Sequence, residues 1–110
     1  MTIPATAIVV LCTVPDRETA TRLAEAAVTQ RLAACVTMLP GAESVYLWEG
    51  ALERTQELLL VAKTTTAAYA ALEQLWLSEH PYELPELIAV PIASGLEAYL
   101  QWISHAVSPC

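Results

Sequence analysis

A long stretch from Cys35 to Thr65 constrains the fold more than any other part of the chain. Two strand-like arms, "CVTMLPGAESVYLWE" and "LERTQELLLVAKTT", flank Gly50, and Pro40 and Gly41 interrupt the first arm. Gly50 predicts a tight turn, and the Pro-Gly pair predicts a bulge or bend within a strand. Each arm can extend up to roughly 45 Å, which is longer than the sheet of a small domain covers. We therefore expect an antiparallel hairpin that overhangs its sheet and exposes strand edges.

The rest of the chain alternates between strand and helix periods. "AIVVLC" is a β-branched apolar run typical of a buried strand, and Asp16 is placed to cap a following helix of roughly 18 residues. A second helix ("AAYAALEQLWLSEH") precedes the strand "ELIAVPIA", in which Pro91 favours an edge position. The apolar core "LLLVA" of the hairpin is typical of a central strand buried on both faces.

A closing helix is expected around Leu96 to His105. The complete order predicts one α+β domain over residues 1–110: a ferredoxin-like β-α-β-β-α-β sandwich with a C-terminal helix and an antiparallel sheet.

The composition indicates self-association and excludes several classes of function. Apolar residues make up 55% of the chain, which is above the roughly 45–50% of ordinary domains. Tyr46 and Trp48 lie on one side of the hairpin end, a position that favours docking on another subunit over a role within the chain. A net charge of −7 without a basic stripe argues against nucleic-acid binding. No apolar run reaches the roughly 20 residues of a membrane span, and no basic signal-peptide region precedes the first strand. We expect a cytoplasmic protein.

No pattern typical of catalysis is evident. The three glycines are isolated, so a glycine-rich phosphate loop is excluded, and HExxH does not occur. Cys12, Cys35 and Cys110 form no CxxC pair and predict free thiols. Glu83 and Glu86 favour a solvated loop pair over acid-base catalysis, because the neighbouring prolines preclude a helix. We expect that the protein is not an enzyme.

Three side chains allow both a binding and a structural interpretation. Lys63, which three threonines follow, is either part of an anion-binding corner or a lysine that extends along the strand end beside a helix cap. Cys12 and His80 carry the thiolate and imidazole ligands that copper and zinc prefer. Cys12 ends its strand, where its thiol is either reachable or a small buried group. His80 ends a helix, and Pro81 favours an extended backbone that turns its ring away.

The blocks "VVLCTVPD", "RLAAC", "LPG", "LLLVAKTT" and "HPYELPE" occur in an order that resembles the CutA-type divalent-cation tolerance proteins. The resemblance covers nearly the whole chain. It implies a ferredoxin-like fold, a homotrimer, a cytoplasmic protein linked to copper and other divalent metal ions, and no established enzymatic activity.

The resemblance also implies a metal site, and the shared fold allows an alternative function as a signalling protein. The copper site attributed to some members corresponds to Cys12, Glu79 and His80 here, with Cu(II) or Zn(II) as the ion. Glu79 stands where those members have a histidine, and a carboxylate is a harder ligand, so weak binding is expected. The same fold and trimeric form occur in PII-like signalling proteins, in which Lys63 and its threonines would bind a small anionic ligand between subunits.

Overall fold

A computed structural model describes residues 6–107. The elements in this range are β1 (Ala7–Val14), α1 (Arg17–Thr29), β2 (Cys35–Trp48), β3 (Ala51–Thr65), α2 (Tyr69–Glu79), β4 (Leu87–Pro91) and α3 (Glu97–Val107). The strands form one antiparallel sheet in the order β2-β3-β1-β4. The predicted α+β, ferredoxin-like arrangement with a closing helix is confirmed, and Pro91 lies in an edge strand as expected. Cys110 lies outside the described residues.

Helices α1 and α2 pack on one side of the sheet, which we call the helix face. Alternate residues of β1 and β3 point into this core, where they meet the apolar stripes of both helices. Trp76 of α2 is fully buried, and its Nε1–H donates to the backbone carbonyl of Leu23 in α1 at 3.0 Å. This bond joins the two helices within the core.

The opposite side, which we call the open face, leaves apolar side chains in solvent. Leu39 pairs with Leu59 across β2 and β3, and Ile88 of β4 lies beside Leu11 of β1. Leu39 and Ile88 are 44% and 51% exposed, whereas Leu59 and Leu11 are half-buried. The single chain therefore buries the run "LLLVA" on the helix face but only partly on the open face, whereas burial on both faces was predicted. Helix α3 covers one end of the open face near Ala7.

The hairpin of β2 and β3 projects past the rest of the sheet, as expected. β1 pairs with β3 only from Leu58 to Thr65, so the part of β3 over residues 51–57 has no strand on that side within residues 6–107. A register shift at Pro40 and Gly41 marks the bulge, and Gly50 at φ 83° forms the turn. The domain measures 52 × 26 × 22 Å because of this extension.

Helix α1 begins as expected, because the Asp16 side chain accepts the backbone N–H of Thr19 at 2.8 Å. It ends at Thr29 and is shorter than the roughly 18 residues expected from its apolar stripe. Arg31 adopts a left-handed backbone at φ 59°, which stops the helix, and Leu32 packs on the core from outside it. No helix within residues 6–107 is long and apolar enough to cross a membrane.

Candidate functional site

His80 fastens the segment between α2 and β4 to the end of β1. Its backbone is extended, as the following proline predicts. Nε2 lies 2.8 Å from the carbonyl oxygen of Thr13, and Nδ1 accepts the backbone N–H of Tyr82 at 3.2 Å. Because a carbonyl oxygen only accepts, this pattern places the ring proton on Nε2. Both nitrogens of the ring are therefore engaged within the chain.

Cys12 points into the core on the helix face and is fully buried. Burial, with smaller contributions from the charges of Glu86 and Glu57, raises the pKa of its thiol from 9.0 to about 12. The group is thus a protonated thiol at neutral pH, whereas a metal ligand must be a thiolate. Of the two sequence-based interpretations of Cys12, the buried small group agrees with the structure, and the reachable thiol does not.

Glu79 is engaged elsewhere. Its Oε1 lies 3.1 Å from Nε of Arg22 in a surface ion pair between α2 and α1. Within residues 6–107, no three His, Cys, Asp or Glu side chains are grouped so that they hold a metal ion. The predicted ligands Cys12, Glu79 and His80 therefore do not form an assembled metal site in the single chain, and this set stays a prediction.

Glu57 is a buried carboxylate that the sequence reasoning missed. It lies on the open face of β3, only 6% exposed. Its two oxygens accept hydrogen bonds from the hydroxyl of Ser44 and, at 2.8 Å, from the hydroxyl of Tyr82. Burial and this bond to Glu57 raise the pKa of Tyr82. The available signal was strand alternation, which places Glu57 on the same face as Leu59 and directly before the apolar run.

Glu57 and Tyr82 form part of the wall of a cavity of about 850 Å³ between the hairpin extension and the segment 81–86. We call it the acid-aromatic cavity, because four carboxylates and three aromatic rings line it: Glu53, Glu57, Glu83, Glu86, Tyr46, Trp48 and Tyr82. None of the described residues that line it is Lys, Arg or His. The cavity is therefore suited to a cation and unsuited to an anion.

Sequence-predicted groups meet at this cavity. Glu83 and Glu86 lie in a loop and are exposed, as expected. Tyr46 and Trp48 face the cavity of their own chain, and the Tyr46 hydroxyl lies 3.0 Å from Oγ1 of Thr55. Their expected docking on another subunit stays a prediction.

Lys63 and the following threonines are bonded locally. Nζ of Lys63 donates to Oγ1 of Thr37 at 2.8 Å. Oγ1 of Thr64 donates to the carbonyl of Leu32, and Oγ1 of Thr65 accepts the backbone N–H of Ala68. These contacts agree with the structural interpretation of Lys63 rather than with an anion-binding corner.

The chain is similar in sequence to one family of known proteins. A family model described as CutA1 divalent ion tolerance protein matches residues 8–106. The divalent-cation tolerance protein CutA of Citrobacter koseri is 47% identical over 101 residues, which are 92% of this chain and 88% of that protein. The protein of the same name from Thermus thermophilus is 50% identical over 95 residues, 86% of this chain and 92% of that one.

Solved structures of CutA proteins resemble this fold over nearly its whole length. The crystal structure of CutA from Xylella fastidiosa matches with a TM-score of 0.92 and 41% identity, over 94% of this chain and all of that one (100%). The Cut A1 structure from Thermus thermophilus matches with a TM-score of 0.90 and 46% identity, over 93% of this chain and 99% of that one.

Proposed function

Because the chain belongs to the CutA1 divalent ion tolerance protein family, we propose that it contributes to divalent-cation tolerance as a non-catalytic homotrimer that binds Cu(II), Zn(II) or related ions. The observation that carries this proposal is the family match, which covers residues 8–106 and so all but three of the described residues. The acidic composition, with a net charge of −7, is consistent with a protein that attracts cations.

Self-association is supported by the open face. Leu39, Ile88 and Val90 are exposed there, and an apolar patch of this kind marks an interaction site. The edge of β3 over residues 51–57 also offers unpaired backbone groups to a strand of another copy. Packing of open faces and pairing of hairpin edges would bury both features. The number of three subunits comes from the resemblance to the family.

Weak metal binding is proposed for the ligand set Cys12, Glu79 and His80. As folded, these residues do not fit a tight three-ligand site. An ion there requires that Cys12 lose its proton despite a pKa of about 12, and that His80 give up its bond to Thr13 or to Tyr82. Both requirements cost free energy and therefore lower the affinity for the metal ion.

Calorimetric titration of Cu(II) and of Zn(II) tests the ligand set. His80→Ala is expected to lose most of the binding of the unaltered protein. His105→Ala is the matched control, because the chain has two histidines and His105 lies exposed on α3. Equal affinity in all three proteins would reject His80 as a ligand.

We propose a cytoplasmic location, which rests on the family resemblance alone. Cell fractionation with antibody detection tests this placement, and recovery in a membrane or secreted fraction would contradict it. The local bonding of Lys63 gives no support to the alternative of an anionic ligand at that corner.

A further inference from the structure

We draw no further inference here: the strongest candidate, the open cavity of about 340 Å³ between the end of α1 and α3 that Arg31, Trp102 and His105 line, carries no proposal because no buried side-chain nitrogen or oxygen within residues 6–107 lacks a hydrogen-bond partner and nothing in the structure shows what covers this face.

Discussion

At the residue scale, Cys12 and His80 lie close to Thr13 but in different surroundings. The Cys12 side chain is enclosed by the core of the helix face, whereas the His80 ring holds a loop to the Thr13 carbonyl. A buried thiol with a raised pKa and an imidazole with both nitrogens engaged have structural roles that compete with metal binding. Their individual contributions to stability are therefore measurable without metal.

The Cys12 thiol should make stability depend on pH in the alkaline range. Its folded pKa of about 12 lies above the ordinary value of 9.0, so the unfolded chain releases this proton first. The contribution of the protonated thiol to the free energy of unfolding is complete below the ordinary pKa. It is lost as pH rises towards the folded pKa, and the folding equilibrium constant falls by at most about tenfold per pH unit. Urea unfolding across this range is expected to show a steeper decline for the unaltered protein than for Cys12→Ala. Parallel profiles would contradict the assignment.

Tyr82→Phe should destabilise the fold by about 1–3 kcal/mol, because the buried Glu57 carboxylate loses one of its hydrogen-bond donors. Tyr46→Phe removes a hydroxyl that bonds Thr55 at the surface, and it is expected to have little effect. Denaturant unfolding of the two variants compares the costs directly. A Tyr82→Phe variant as stable as Tyr46→Phe would show that the bond to Glu57 does not hold the segment.

The burial of Cys12 was not decidable from the sequence. Both sets of alternating side chains in β1 are apolar. Val9 and Leu11 lie on the open face, and Val10 and Cys12 lie on the helix face. Alternation identifies two faces but does not tell which of two apolar faces meets the helices. Candidate ligand types could be read from the sequence, whereas the hydrogen bonds that occupy His80 depend on the path of the segment 80–86.

At the element scale, helix α2 is anchored by Trp76, which is fully buried and bonded to the Leu23 carbonyl. Trp76→Phe should cost about 2–3 kcal/mol, because it leaves a cavity and removes the donor. Trp102→Phe is the matched control on the exposed face of α3, where the change is expected to cost little. Thermal unfolding of both variants is the measurement, and equal shifts in Tm would contradict the anchoring role of Trp76.

The hairpin was predictable because local chemistry specifies it: two glycines with positive φ form the bulge and the turn, and β-type sequence fills both arms. The end of α1 was not predictable from the sequence. Apolar residues recur at helical spacing as far as Leu32, although the helix ends at Thr29. Leu32 reaches the same core from a different backbone conformation. Periodicity thus reports which side chains are buried more reliably than where a helix stops.

At the scale of the whole molecule, the elongated domain presents an apolar open face and an unpaired edge of β3, which the proposed homotrimer would bury. Leu39→Lys places a charge on that face and is expected to yield monomers in light scattering. Leu77→Lys is the control, because Leu77 is comparably exposed, at 48% against 44% for Leu39, but lies on α2. A Leu39→Lys protein that keeps the mass of the unaltered assembly would exclude the open face from the interface.

Native mass spectrometry of protein purified without chelator, recorded before and after addition of Cu(II), tests most directly the proposal that the protein is a homotrimer and binds cations. The account predicts an assembly of three times the 11.9 kDa chain, which gains copper in the unaltered protein and in His105→Ala but much less in His80→Ala. A monomer mass at micromolar concentration would contradict the trimer. A trimer that gains no copper, or gains it equally in all three proteins, would contradict the proposed metal site.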